Sequence, residues 1–149
     1  MDLIELDDNG RLFLSPAIDD WQPVAGRQIT VVFDLEGDLD HGVSTRPGNM
    51  LYVYFPIVDE GLPDLDKLHA LAGMAANLVR DGKRVLAHCS MGYNRSALLA
   101  GLTLVYLGWS GREAIARLRE RRPGALFNEA FAEYLAALPP AGPVESAQR

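Results

Sequence analysis

"RVLAHCSMGYNRSALLAGLTLVY", residues 84–106, decides the fold. A short apolar run, 84–88, leads straight into the chain's one cysteine, and a second apolar run with helical spacing begins at Arg95. The first run reads as a buried central strand, because both its faces are apolar. The second reads as a helix over 95–107. Upstream, from Asp64 or Asp66 to Arg80, the apolar positions Leu65, Leu68, Leu71, Ala72, Ala75, Leu78 and Val79 recur at threes and fours, which requires a helix with one buried face. Helix, strand, loop, helix is the crossover pattern of an α/β fold.

Further out, "RLFLS" (11–15) and "ITVVFDL" (29–35) are β-rich and bounded by turn residues. "MLYVYFPIV" (50–58) is apolar and aromatic, with Pro56 arguing against a regular strand beyond Phe55. Ser110, three residues before Glu113, predicts a capping box for a helix that Pro123 stops. A last helix is expected from Asn128 to Leu138. The organisation expected is one domain over 1–140 and a flexible tail over 141–149.

With 149 residues and 48% hydrophobic content, the chain can bury a sizeable core. A single cysteine forms no intramolecular disulfide and no secretory signal precedes it, so a reducing, cytoplasmic setting is expected. No apolar stretch reaches the roughly 20 residues of a membrane span, so no membrane association is expected. Net charge is −6, unevenly divided: residues 1–66 hold fourteen acids and three arginines, residues 67–149 eleven Lys/Arg and six acids. That balance excludes an extended nucleic-acid surface and leaves room for a local anion pocket in the second half. No oligomer interface is legible.

Between strand and helix, Ser90, Met91, Gly92, Tyr93 and Asn94 present successive backbone N–H groups to a tetrahedral anion seated over the helix N-terminus. Gly92 permits a backbone conformation that a Cβ would hinder. Cys89 would be the nucleophile, since a thiol at a helix N-terminus beside cationic donors is activated. Arg95 supplies a planar fork for two phosphate oxygens, which a lysine cannot match. Ser96 donates to the thiolate, and His88 orients the loop. A nucleotide-binding loop would need a lysine after glycine. Zinc would need ligands more closely grouped than Cys89, His41, His69 and His88. No metal and no cofactor is called for.

Cleavage of a phosphate monoester requires a group that protonates the leaving oxygen and later accepts a proton from water. Asp59, in the Gly/Pro-containing "VDEGLPDLDK", is the leading candidate. Glu60, Asp64 and Asp66 compete; Asp64 or Asp66 is also explained as the cap of the following helix.

This arrangement resembles the cysteine-dependent dual-specificity branch of the protein tyrosine phosphatase superfamily. "HCSMGYNRS" is similar to its His-Cys, five residues, Arg, Ser/Thr signature, and "YFPIVDEGLPDLDK" to the segment carrying its aspartic acid. The likeness spans residues 10–138. It implies a compact fold with a central, mainly parallel or mixed sheet flanked by helices and the active site at the sheet's C-terminal edge. It also implies Cys89 as nucleophile, Arg95 as phosphate clamp, Ser96 assisting phosphoenzyme breakdown and Asp59 as acid, then base. "RPGALFNEAFAEYL" resembles the family's closing segment, whose asparagine, here Asn128, braces the phosphate loop. The substrate implied is a phosphorylated protein or small phosphomonoester, phosphotyrosine first and phosphoserine or phosphothreonine next. Two alternatives stand: a non-catalytic phosphate-recognition module, and an RNA 5′-triphosphatase, which "GYNRS" resembles in part.

Overall fold

The computed structural model describes residues 1–143. Among these residues, five strands and five helices follow in the order β1 (Ile4–Glu5), β2 (Leu12–Ser15), α1 (Gln22–Gly26), β3 (Val31–Asp34), β4 (Leu51–Tyr54), α2 (Leu65–Arg80), β5 (Val85–His88), α3 (Arg95–Tyr106), α4 (Gly111–Arg121) and α5 (Glu129–Ala136). The sheet runs β1-β2-β5-β3-β4, with β1 antiparallel to β2 and every other pairing parallel. It is therefore mixed and mostly parallel, and the central strand is β5, as its uninterrupted apolar character requires.

Strand alternation divides the core in two. Leu12, Leu14, Val31, Phe33, Val85 and Ala87 point toward α2–α5, whereas Phe13, Val32 and Leu86 point the other way, onto Val24 of α1 and Ile29. Helix α3 is buried along Ser96–Val105, so it is apolar on nearly every side. Each fully buried leucine there, such as Leu98 or Leu102, contributes about 1.5–3 kcal/mol by leaving water. Both halves of the Ser110–Glu113 capping box are present, at 3.1 and 2.9 Å.

Most boundaries lie within a residue or two of expectation, and three of the differences are informative. The 50–58 run is a strand only over Leu51–Tyr54; beyond it, Phe55 and Ile57 still donate to Asp34 and Leu35 carbonyls, with Pro56, which has no N–H, between them. The last helix ends at Ala136 rather than Leu138. In the expected tail, the Ala141 N–H donates to Val105 O at 3.0 Å, and residues 144–149 lie outside those described. Strand β1 and helix α1 were not anticipated; two residues and five residues are too short for a periodicity signal. No helix among the described residues is long and apolar enough to cross a membrane.

The pairing register sets the stage for the site. Ser15 faces His88, His88 faces Asp34 and Asp34 faces Tyr54, so β2, β5, β3 and β4 end in one row. The connections 16–21, 35–50, 55–64 and 89–94 all leave that carboxyl edge. In open parallel sheets this is the edge where ligands bind.

Candidate active site

Residues 89–94 link β5 directly to α3. Cys89 is only 2% exposed, and its Sγ lies 3.1 Å from Ser96 Oγ in the first turn of the helix. A serine hydroxyl in that place can donate to a thiolate. Gly92 has φ +75°, and a Cβ there would come within 2.9 Å of the Pro16 nitrogen and 3.0 Å of the Ser15 carbonyl carbon. Only glycine fits both the backbone conformation and the close approach of the β2 end. Among the described residues, no backbone N–H of Ser90, Met91, Gly92, Tyr93 or Asn94 donates to another protein group. Five donors beside a helix N-terminus suit a tetrahedral anion.

Arg95 adds the cationic side of this cradle. Its Nη1 makes a long 3.5 Å contact with Ile57 O, and its Nε is buried without a partner. A buried guanidinium donor left unpaired is costly, which fits a fork reserved for a phosphate's oxygens.

Asp59 is held over the cradle by a ring of amides. Asn94 Nδ2 donates to Asp59 Oδ2 at 3.0 Å, and Asn128 Nδ2 donates to Asp59 Oδ1 at 2.8 Å. The Asn128 N–H donates to Asn94 Oδ1 at 3.0 Å, closing the ring, while Asn128 Nδ2 also reaches Glu60 O at 2.9 Å. Asn128 caps α5 through Phe131 N–H as well, at 3.2 Å. Cap and brace are thus one residue. Asn94 contributes its backbone to the cradle, but its buried side chain serves the ring. Asp64 accepts from Lys67 N–H at the start of α2, so it is engaged as that helix's cap.

His88 is fully buried, with Nε2 2.6 Å from Asp40 Oδ2 and 3.7 Å from Asp34 Oδ1. Tyr52 OH donates to Asp34 Oδ2 and accepts from Asp40 N–H. Burial pushes the Asp34 carboxyl above its ordinary value, opposed by the hydrogen bonds from Tyr52 and Glu36. The same burial raises Tyr52, and the Asp34 bond adds to it. Ligand-type atoms of Asp34, Glu36, Asp40 and His88 all fall within 4.8 Å of one another. The histidine is thereby tied to the 35–50 connection, a means of fixing the strand end from which Cys89 projects.

Sequence reasoning missed Asp34, Asp40 and Tyr52, and it missed the bridging role of Asn94. A carboxylate closing the apolar run "VVFD" was the available signal for Asp34. At the rim, Arg122 stacks over the Tyr93 ring at 4.1 Å and donates to Met91 O at 2.8 Å, and Phe127, which sequence reasoning did not single out, lies 6.0 Å from the Tyr93 ring centre.

A model of the dual specificity phosphatase catalytic domain matches residues 13–138. The chain is 31% identical over 109 residues to cyclin-dependent kinase inhibitor 3 of Rattus norvegicus, covering 66% of this chain and 50% of that protein. It is 34% identical over 67 residues to tyrosine-protein phosphatase CDC14 of Saccharomyces cerevisiae (strain ATCC 204508 / S288c), covering 44% of this chain and 12% of that protein. The chain thus spans half or less of the length of these curated relatives. The crystal structure of Tk-PTP in the active form aligns with a TM-score of 0.74 at 28% identity, over 89% of this chain and 92% of that one. From β2 to the end of α5, then, this chain belongs to the dual specificity phosphatase catalytic-domain family and has the fold of the cysteine-dependent protein phosphatases.

Proposed function

We propose that the protein hydrolyses phosphate monoesters through a phosphocysteine intermediate, acting on phosphotyrosine and on phosphoserine or phosphothreonine in proteins. Cys89 attacks phosphorus as the thiolate; an S–P bond forms, the P–O bond to the leaving group breaks, and Asp59 gives that oxygen its proton. The N–H groups of residues 90–94 and the Arg95 fork hold the three equatorial oxygens as charge redistributes. Water then attacks phosphorus, Asp59 takes its proton, the S–P bond breaks, and Ser96 donates to the departing thiolate. No cofactor or metal enters either half-reaction.

The observation that carries this reading is the buried Cys89 Sγ, 3.1 Å from Ser96 Oγ, beside the unpartnered buried Nε of Arg95. The test is turnover of an aryl phosphate and a phosphotyrosine peptide by the wild type and by Cys89→Ser, with acid-quench mass spectrometry of the wild type. The wild type accumulates or transits an adduct at Cys89, and the variant loses turnover by at least about 10³-fold while still folding. Normal hydrolysis by Cys89→Ser refutes the mechanism.

A further inference from the structure

Apart from Asp59, the acidic excess of the N-terminal half has no part in the proposed chemistry, yet the fold delivers much of it to the active-site edge. Three connections are tied to the cradle: 16–21 through Ala17 N–H to Ser90 O at 3.1 Å, 35–50 through Asp40 to His88 at 2.6 Å, and 55–64 through Asp59 to Asn94 at 3.0 Å. On them stand the exposed carboxylates Asp19, Asp20, Asp38, Glu60 and Asp64, besides Asp59, against Arg46; Asp19 Oδ1 lies 4.0 Å from the N-terminal ammonium and Asp64 Oδ2 3.9 Å from Lys67 Nζ. Arg122, on the fourth side, donates to Met91 O and stacks on the Tyr93 ring, with its Nε buried and unpartnered, and adds a positive charge to that side of the rim. Apolar side chains stand among these charges: Leu39 is 59% exposed, Val58 67%, Met91 64% and Phe127 68%.

We infer that this collar is a docking surface for a basic segment, so that the preferred substrate is a phosphotyrosine flanked by lysine or arginine. The inference rests on the phosphatase reading above. A cationic flank gains from the carboxylates by attraction at encounter and in the bound complex, while an acidic flank is repelled. The apolar residues meet the aliphatic stems of the same lysine and arginine side chains. By the same charge pattern, ligands carrying several phosphates are disfavoured: the cradle satisfies one phosphoryl group, and the carboxylates around it oppose the others.

The test compares kcat/KM for three phosphotyrosine peptides of equal length, with basic, neutral or acidic flanks, each divided by the rate on a small aryl phosphate. Wild type is measured at low and at high salt beside an Asp19→Lys, Asp38→Lys double variant. Basic flanks are favoured over acidic ones by about tenfold at low salt, and the ratio falls to about two- or threefold when the Debye length shrinks. The double variant lowers the ratio further. Equal or better use of the acidic peptide, or a preference indifferent to salt and to the variant, overturns the inference. So does faster hydrolysis of phosphoinositide vesicles or of a 5′-triphosphate RNA than of the basic peptide. If the wild type turns over neither aryl phosphate nor peptide, the phosphatase reading fails by itself. The collar is then judged by affinity for the same three peptides, and equal affinities overturn it.

Discussion

Replacing Asn94 with alanine separates the two jobs of the cradle residue. The backbone N–H stays, but the side chain that donates to Asp59 at 3.0 Å and accepts from Asn128 N–H at 3.0 Å is removed. A hydrogen bond to a carboxylate is worth about 1.5–3 kcal/mol. If that energy biases the 55–64 connection toward the cradle, its loss lowers the fraction of molecules with Asp59 in place by about 10- to 100-fold, at 1.4 kcal/mol per factor of ten. Proton donation matters most when the leaving group is a poor one. For phosphotyrosine or an alkyl phosphate, kcat therefore falls by about 10- to 100-fold; for an aryl phosphate whose leaving group departs unaided, the change stays within about twofold. Inorganic phosphate, bound by backbone N–H groups and Arg95, retains its inhibition constant. The assay is a leaving-group series on wild type and Asn94→Ala, with melting temperatures recorded. A uniform loss across the series would mean that Asn94 shapes the cradle itself, and no loss on poor leaving groups would mean that the ring does not position Asp59. Either result refutes the reasoning.

Gly92→Ala forces an L-residue to φ +75° and sets a Cβ 2.9 Å from the Pro16 nitrogen; strain and overpacking together cost about 2–4 kcal/mol. Calorimetry of this variant gives a melting temperature lower by about 5–15 °C, at about 2–4 °C per kcal/mol, together with weakened phosphate inhibition; an unchanged melting temperature contradicts the close approach. His69 lies between Tyr106 and Tyr134, where burial lowers its pKa below 6.5, with Asp66 acting in the opposite sense. A depressed folded value means that its contribution is present above 6.5 and lost as pH falls through the folded value. Denaturant midpoints between pH 7.5 and 5 decline more steeply for the wild type than for His69→Gln, and parallel curves remove His69 from the account.

What could be read from the sequence was local. Helix α2 announces its buried face through spacing, and the cradle is visible because nucleophile, glycine and arginine are contiguous. Asp64 and Ser110 were legible as caps for the same reason: a cap bonds three residues ahead. The ring around Asp59 was not legible, because its bonds span 34 to 69 residues. No spacing rule connects an amide in one loop with a carboxylate in another. The Asp40–His88 contact, spanning 48 residues, was hidden likewise, and a fully buried carboxylate such as Asp34 reads from sequence as one more acid in an acidic stretch.

That acidic stretch raises a question of magnitude: how would a chain of net charge −6 hold the dianion of the proposed substrate? Distance decides it. A carboxylate about 10 Å from the phosphate, across water, repels each unit of its charge by only about 0.4 kcal/mol, and physiological salt reduces this further. The five exposed groups other than Asp59 would oppose binding by a few kcal/mol at the outset and by much less after screening. The cradle acts at contact, through five backbone donors, a helix N-terminus and a guanidinium whose charge-assisted bonds are each worth about 1.5–3 kcal/mol. The near field wins at the phosphorus, while the far field still acts on whatever surrounds it. On the proposed reading, Arg95 and the backbone donors would therefore govern the affinity for the phosphoryl group. On this reading the collar would govern which neighbours of that group are admitted, a selectivity that weakens as salt rises.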